Sequence, residues 1–253
     1  MSDGLDLRAG PGEQSVALSR DFRLLQKRRG HRYSVDDMLV AHLVSRQGRE
    51  PGRALDLGCG LGSVLLLVAW TFPQTQLVGL EALDEHVDFA RRNVALNGCQ
   101  DRARIVAGDL RDLELVRSLG PFDLITGSPP YFHPDSGTHC KDPARAAAHF
   151  ELRGGIEEYA AAAGAALDPG GLFVCCAAAS PRRRGPEALR KAGLKLRYRR
   201  DVIPRLGKEP FLSLLVGAHD GGSGWEHAPP LVLRDGEGAR TVEHRQIREW
   251  TGV

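Results

Sequence analysis

The stretch Ala-Leu-Asp-Leu-Gly-Cys-Gly-Leu-Gly, residues 54–62, decides the fold of this chain. It predicts a short apolar strand that runs into three glycines at alternate positions, Gly58, Gly60 and Gly62. Because glycine has no Cβ, it tolerates positive φ and lets the backbone approach a ligand closely. Asp56, at the end of the strand, is placed to accept hydrogen bonds from that ligand. Alone, the pattern leaves open both a cofactor site and an ordinary tight turn.

The segments that follow complete a βαβ unit. Residues 64–72 are apolar enough for a buried helix, Pro73 ends it, and residues 76–80 form a second strand that ends on Glu81. An acidic residue about 20 positions after the glycines, at the tip of the second strand, is placed to bind the ribose hydroxyls of a nucleoside cofactor. The unit therefore favours a nucleoside-cofactor site over a plain turn.

The glycine spacing indicates which cofactor is bound. The dinucleotide fingerprint is GxGxxG, whereas this chain has GxGxG with Asp56 two residues ahead of it. This pattern resembles motif I of class I S-adenosylmethionine-dependent methyltransferases. The resemblance implies an α/β, Rossmann-like fold with a seven-stranded, mostly parallel sheet and an antiparallel C-terminal hairpin. It also implies that Asp109 accepts from the adenine amine of S-adenosylmethionine. A dinucleotide oxidoreductase is the alternative.

Length and composition limit the architecture. The chain has 253 residues, of which 42% are hydrophobic, so we expect a single methyltransferase domain over residues 1–253. Within it, residues 1–50 would cover the cofactor pocket, residues 51–218 would form the Rossmann-like core, and residues 219–253 would be a C-terminal extension. The net charge is only +2, so a nucleic-acid surface must be a local patch.

Other sequence features bear on compartment, metal and assembly. The five cysteines form no CxxC pair, which argues against a disulfide framework or a zinc site. The chain has neither an apolar run of 18 residues nor a signal peptide, so we expect a soluble, cytoplasmic protein without membrane contact. We also expect a monomer or weak homodimer without a metal, because direct methyl transfer needs alignment rather than a Lewis acid.

The N-terminal segment has two compatible interpretations. Residues 1–15 are polar and glycine-containing, so we expect a frayed start. Ser34 suits a helix N-cap, and Asp36 and Asp37 suit the first turn of that helix. The segment can also lie across the cofactor pocket, with Ser34 and Asp36 as contacts.

A second decisive stretch follows the fourth strand, residues 122–126. It reads Ser128-Pro-Pro-Tyr-Phe132, where a doubly wound sheet places its ligands. Pro129 and Pro130 fix φ and hold their carbonyls stiffly. The Ser128 hydroxyl and the Pro129 carbonyl can accept from an adenine amine, while Tyr131 stacks on a displaced base. A Pro-Pro surface turn is the plain alternative.

Near the C-terminus, residues 194–203 and 211–218 are expected to pair as antiparallel strands. Basic side chains are expected on the face that carries the Ser128 loop. Those with a predicted substrate-binding role are Arg32, Lys141, Arg145, Arg182, Arg183 and Arg184, and Lys27, Arg28 and Arg29 lie nearby.

Taken together, these motifs resemble the bacterial tRNA1(Val) adenine-N6 methyltransferase family. The resemblance rests on Gly30-His-Arg-Tyr-Ser-Val-Asp36, residues 56–62, the Ser128 loop, and the segments 204–210 and 229–233. It implies transfer of a methyl group to the N6 amine of an adenine in tRNA, beside the anticodon. The chain departs from the family at Ser128, where asparagine is usual, and at His149, where arginine is usual. The predicted cofactor contacts are Ser34, Asp36, Asp56, Gly58, Cys59, Gly60, Gly62, Glu81, Ala82, Asp109, Leu110 and Ser128.

Two other functions remain open. A glutamine-directed protein methyltransferase faces the same chemistry and also uses a Pro-Pro-Tyr loop. About 50 residues precede the first core strand, fewer than the helical N-terminal domain of those enzymes needs, which favours a nucleobase. A non-catalytic cofactor-binding module of the same fold is the other alternative.

Overall fold

The computed structural model describes residues 5–130, 154–220 and 225–253. These residues form ten strands and seven helices. The strands are β1 (Glu13–Ala17), β2 (Arg23–Lys27), β3 (Arg53–Leu57), β4 (Gln76–Glu81), β5 (Ala103–Ala107), β6 (Phe122–Gly127), β7 (Leu167–Ala178), β8 (Lys195–Ile203), β9 (Leu212–Ala218) and β10 (Glu226–Val232). The helices are α1 (Val35–Ser45), α2 (Ser63–Thr71), α3 (Asp84–Leu96), α4 (Leu113–Leu119), α5 (Ile156–Ala166), α6 (Arg184–Lys191) and α7 (Val242–Thr251).

Eight of the strands form one sheet in the order β10-β8-β9-β7-β6-β3-β4-β5. Strand β9 runs antiparallel to both of its neighbours, and the other pairs are parallel. The predicted fold class, a mostly parallel Rossmann-like sheet with an antiparallel C-terminal hairpin, is confirmed.

The predicted number of strands was one too low, because β10 in the C-terminal extension adds an eighth strand. This edge strand contains Pro229 and Pro230, which lie where its register with β8 shifts, between Ala228 and Leu231. Proline donates no ladder hydrogen bond and is tolerated at an edge or a bulge. Two consecutive prolines argue against a strand, so the sequence patterns did not predict β10.

Apolar layers cover both faces of the sheet. Alternate residues of a strand point to opposite faces, so Val174 and Cys176 join the layer under α1 and α2, while Phe173 and Cys175 join the layer under α5 and α6.

Cys59, Cys99, Cys175 and Cys176 are free and buried, and Cys140 lies outside the described residues. In the described part of the chain, no helix combines the length and apolarity that crossing a bilayer requires.

The N-terminal segment is more ordered than we predicted. Residues 13–17 pair with β2 in an antiparallel hairpin. The Arg92 guanidinium, on α3, donates to both carboxylate oxygens of Glu13 (2.9 and 2.8 Å) and to the carbonyls of Asp6 and Arg8 (both 2.9 Å). This ion pair lowers the pKa of Glu13. The prediction of a frayed start over residues 1–15 was therefore wrong for residues 13–15, because the partner that holds them is remote in sequence.

Candidate functional site

A pocket lies at the carboxyl ends of β3, β4 and β6, where parallel strands of a doubly wound sheet hold their ligands. It is partly open to solvent. It is lined by His31, Gly58, Gly60, Leu80, Glu81, Ala82, Leu83, His86, Gly108, Asp109, Leu110, Ser128, Pro130, Gly154 and Tyr159.

The glycine turn forms one wall of the pocket. Gly58 and Gly60 have φ of +57° and +55°, a region that other residues enter only with strain. A Cβ on Gly58 would stand 2.1 Å from the Tyr159 hydroxyl oxygen, and one on Gly60 would stand 3.2 Å from His31 Nε2. The backbone of this turn therefore forms a cradle that side chains would fill.

The carboxylate of Glu81 is held rigidly at the end of β4. Its Oε2 accepts from the Gly60 N–H (2.9 Å), and its Oε1 accepts from the N–H groups of Ala82 (2.9 Å) and Leu83 (2.8 Å). Glu81 is 7% exposed, and its side chain lines the pocket. Three backbone donors thus fix an acid at the position where a ribose was expected, and the same bonds stiffen the glycine turn.

Asp56 lies beneath the turn and is not among the residues that line the pocket. It is 3% exposed and accepts from the Leu65 N–H (3.2 Å) at the start of α2 and from the Thr126 hydroxyl (2.8 Å). Burial raises the pKa of its carboxyl group to about 7. These bonds allow Asp56 to hold α2 and β6 together. The direct ligand contact that we predicted for it stays a prediction.

Four further predicted cofactor contacts also lie away from the pocket lining. The Cys59 side chain packs against Gly79, and Gly62 forms the N-cap of α2. Ser34 caps α1, donating its N–H to Asp37 (3.3 Å) and its hydroxyl to Asp36. For Ser34 and Asp36 the capping interpretation therefore describes the structure better than the pocket interpretation.

The opposite wall carries the residues that follow β6. The Ser128 hydroxyl is buried and makes no hydrogen bond with any described residue. The Cys176 thiol, whose pKa burial raises, interacts with Ser128, but this contact does not meet hydrogen-bond geometry. Pro129 is buried and Pro130 lines the pocket. The predicted sites Tyr131, Lys141 and Arg145 lie outside the described residues, as does His149.

The predicted adenine contact, Asp109, does line the pocket together with Leu110. Its carboxylate also accepts from the Arg111 guanidinium (2.9 and 2.6 Å) and from the Arg111 N–H (3.0 Å). Asp109 is thus already paired and must share its oxygens with any adenine amine.

Several pocket residues were not predicted from the sequence, among them Tyr159 and His31. Tyr159 lies on α5, its hydroxyl stands over Gly58, and burial raises its pKa well above the ordinary value. Within the described residues, the Tyr159 hydroxyl has no hydrogen bond. His31 stands beside Gly60, and its ring lies 5.1 Å from the ring of His86. The only local signals were a lone aromatic residue in an alanine-rich helix and the position of His31 inside the quoted N-terminal motif.

The predicted basic residues divide by their partners. Arg32 and Arg183 are exposed. Arg182 is also exposed but lies 3.7 Å from the Asp201 carboxylate, and Arg184 forms an ion pair with Glu157 (2.7 Å). Lys27 pairs with Glu85. The described residues contain no group of three or more His, Cys, Asp or Glu side chains arranged to hold a metal ion.

Comparisons with known proteins agree with this site. Residues 54–153 match a family model described as a methyltransferase domain. A Porphyromonas gingivalis protein named tRNA1(Val) (adenine(37)-N6)-methyltransferase is 34% identical over 139 residues, 54% of this chain and 52% of that protein. The match thus spans about half the length of that relative.

Two further matches extend over more of the chain. A solved structure described as a predicted O-methyltransferase, from Agrobacterium tumefaciens, has a TM-score of 0.62 at 20% identity, covers 85% of this chain and 95% of its own, and supports the fold alone. A Yersinia pestis protein with the same name as the Porphyromonas relative is 30% identical over 200 residues, 77% of each chain. The chain belongs to the tRNA1(Val) (adenine(37)-N6)-methyltransferase family.

Proposed function

We propose that the protein transfers a methyl group from S-adenosylmethionine to the N6 amine of an adenine in tRNA, beside the anticodon. One observation carries the proposal. A cradle of glycine backbone and a fixed acid, Glu81, share a pocket with Ser128, whose buried hydroxyl has no partner among the described residues. A buried hydroxyl without a partner costs free energy, so a substrate amine that supplies the missing bond would be favoured.

The cofactor wall fits S-adenosylmethionine. A carboxylate offers about four acceptor sites, and backbone N–H groups occupy three of them on Glu81. One position therefore remains for a ribose hydroxyl, while Asp109 and Leu110 would lie beside the adenine. When bound, S-adenosylmethionine supplies a methyl group made electrophilic by its sulfonium.

Tyr159 extends this wall at the turn. Its hydroxyl stands against Gly58, in the cradle that a Cβ would fill. A phenol can both donate and accept, so Tyr159 would hydrogen-bond a polar group of the cofactor there.

The acceptor wall would orient the substrate amine. The Ser128 hydroxyl and the Pro129 carbonyl accept one N–H each, which directs the nitrogen lone pair towards the methyl group. Serine is shorter than the asparagine usual in the family, so the Pro129 carbonyl would carry more of this function. Alignment of two reactants in one site is a large source of rate enhancement.

The rest of the proposed assignment concerns organisation. We propose a single domain in which residues 1–50 cover the pocket, supported by the position of His31 in its lining. The protein would act in the cytoplasm as a monomer or weak homodimer, without a metal ion.

The direct test is methyl transfer from labelled S-adenosylmethionine to tRNA transcripts, followed by nucleoside mass spectrometry. We expect N6-methyladenosine in one tRNA and none in a matched transcript whose target adenine is replaced by guanine. Label in a release-factor or ribosomal-protein fraction, with none in tRNA, would support the glutamine-directed alternative. Cofactor binding with no transfer to either fraction would support a non-catalytic module.

A further inference from the structure

An arginine-rimmed groove lies around Trp225, on the sheet face that carries α6. Pro186 and Leu196 contribute to its apolar floor, and Arg182, Arg183 and Arg190 stand on its rim. We infer that this groove binds an unpaired nucleotide of the tRNA substrate, together with the phosphates on either side of it. The inference rests on the proposed function and adds a tRNA contact outside the methyl-transfer pocket.

An exposed aromatic pair provides the surface for the base. Trp225 is 51% exposed, a large apolar area for a side chain that is usually buried. Its ring stacks on that of His227, with centroids 5.7 Å apart and planes inclined by 28°. One face of the indole is thus supported from behind, while the side chain remains half open to solvent. Stacking on such a surface tolerates any base, since every base has a flat π-face.

The rim carries an excess of positive charge. Arg183 and Arg190 are exposed and have no ion pair within the described part of the chain. Glu187 is the acidic residue in the groove lining. This balance favours phosphates, because neutralising them releases counterions. A flat aromatic surface beside free guanidinium groups suits a nucleotide better than it suits an acidic peptide.

Buried contacts fix the loop that presents the first arginine. Arg199 is buried, pairs with Asp201 (2.8 Å), and donates to the carbonyl of Arg182 (2.6 Å). The Arg182 guanidinium lies 3.2 Å from His227 Nε2 and 3.7 Å from Asp201 Oδ2. Arg182 therefore links the aromatic pair to the core, and the groove is formed before any ligand arrives.

The groove lies within reach of the proposed methyl-transfer pocket. Ser128 follows β6, and β7, β9 and β8 separate that strand from β10. Four strand spacings correspond to about 19 Å across the sheet. Strand pairing puts Glu226 in the row of Thr126, so Trp225 lies about three residues, or roughly 10 Å, further from the carboxyl edge than Ser128. The resulting separation of about 22 Å is the length of six to seven nucleotides stacked at about 3.4 Å. The Arg184–Glu157 ion pair connects the loop of the groove to the start of α5, which carries Tyr159. One tRNA can therefore occupy both sites.

The test is binding of a tRNA transcript to the full-length protein at several salt concentrations. We expect Trp225→Ala to raise the dissociation constant about 5- to 150-fold, the range for removal of one stacked base, and Trp225→Phe to retain most of the affinity. Arg190→Glu should lower the slope of log affinity against log salt by about 0.7 to 0.9 for each phosphate that the variant no longer neutralises.

Arg104→Glu is the matched control, because Arg104 is exposed on β5 at the opposite edge of the sheet. It should leave tRNA binding much less affected than Arg190→Glu, and calorimetry should show unchanged S-adenosylmethionine binding in all four variants. Equal tRNA binding by Trp225→Ala and the wild type would overturn the assignment of the groove as a nucleotide site. Equal effects of Arg190→Glu and Arg104→Glu on tRNA binding would also overturn it.

Methyl transfer, measured in parallel, separates this inference from the proposed function. If Trp225→Ala binds and methylates tRNA as the wild type does, the groove assignment fails and the proposed function stands. If tRNA binding depends on Trp225 but no tRNA adenine is methylated, the groove stands and the proposed function fails. A wild type that binds no tRNA, or a Trp225 that is needed only to bind a protein, would overturn the groove.

Discussion

The two walls of the pocket differ in how completely their polar groups are paired. On the cofactor wall, Glu81 accepts three backbone N–H groups, and Asp56, beneath it, accepts two hydrogen bonds. On the acceptor wall, the buried Ser128 hydroxyl has no partner among the described residues. Folding thus pairs the carboxylates of the cofactor wall, whereas the Ser128 hydroxyl of the acceptor wall can still form a hydrogen bond with a substrate. Substitutions in the cofactor wall should therefore lower mainly the stability of the protein, and substitutions in the acceptor wall should lower mainly its turnover.

The largest expected effect comes from the carboxyl groups under the cofactor wall. The pKa of Asp56 is raised by burial to about 7, from an ordinary value near 3.9. Burial and the neighbouring Asp36 also raise the pKa of Asp37. Between about pH 4 and about pH 7, Asp56 keeps its proton in the folded chain but has lost it in the unfolded chain. The free energy of unfolding therefore falls as pH rises through this range.

For Asp56 alone the raised pKa corresponds to a loss of about 4 kcal/mol in the free energy of unfolding over this pH range. Urea denaturation of the wild type and of Asp56→Asn between pH 4 and 8 measures it. We expect the substitution to flatten the profile, and equal slopes for the two proteins would contradict the burial argument.

Next in size is the removal of the fixed acid. Glu81→Ala removes a charged acceptor of three backbone N–H groups, so we expect S-adenosylmethionine affinity to fall by about 2 to 4 kcal/mol, with a lower melting temperature. Glu85→Ala is the control, since this neighbouring acid on α3 is partly exposed and pairs with Lys27. Calorimetry that gave Glu81→Ala the wild-type dissociation constant would remove the ribose assignment.

The glycine cradle can be tested by separating backbone strain from steric clash. Gly58→Ala and Gly98→Ala both place alanine at positive φ, at +57° and +65°, but a Cβ on Gly98 has nothing within 4 Å. Strain alone should cost each variant about 1 to 2 kcal/mol of stability.

Only Gly58→Ala should also displace Tyr159 and weaken cofactor binding. Adding Tyr159→Phe, which removes the clashing oxygen, should restore part of the stability that Gly58→Ala removes. A double variant no more stable than Gly58→Ala would mean that the turn, and not Tyr159, yields to the new methyl group.

The smallest effect on stability is expected on the acceptor wall. Ser128→Ala removes a buried hydroxyl that makes no bond with the described residues, so the free energy of unfolding should stay unchanged or rise by about 1 kcal/mol. Turnover should fall about 2- to 10-fold, the effect of losing one neutral hydrogen bond. Ser128→Asn, which keeps an acceptor at this position, should retain wild-type turnover. Wild-type turnover by Ser128→Ala would leave the Pro129 carbonyl as the sole acceptor.

Several features of this fold are encoded by residues that are close together in the chain. The three glycines, the acid about 20 positions later and the strand before Ser128 are local patterns. They predicted the βαβ unit and the pocket edge, and the family resemblance that they carry implied the mostly parallel sheet. The cap at Ser34 and the β8–β9 hairpin are equally local, because a cap or a short hairpin depends on residues within a few positions of each other.

Which polar side chains face the pocket depends on how distant segments pack together. Asp56 and Glu81 each end a strand of the same βαβ unit, yet one is buried under α2 and the other lines the pocket. Arg92 holds Glu13 across 79 positions, Tyr159 reaches Gly58 from α5, and Arg182 contacts His227 across 45 positions, on an edge strand that the sequence patterns did not predict. Burial and pairing depend on segments brought together by folding, and a pattern of adjacent residues does not contain the positions of partners so far away in the chain.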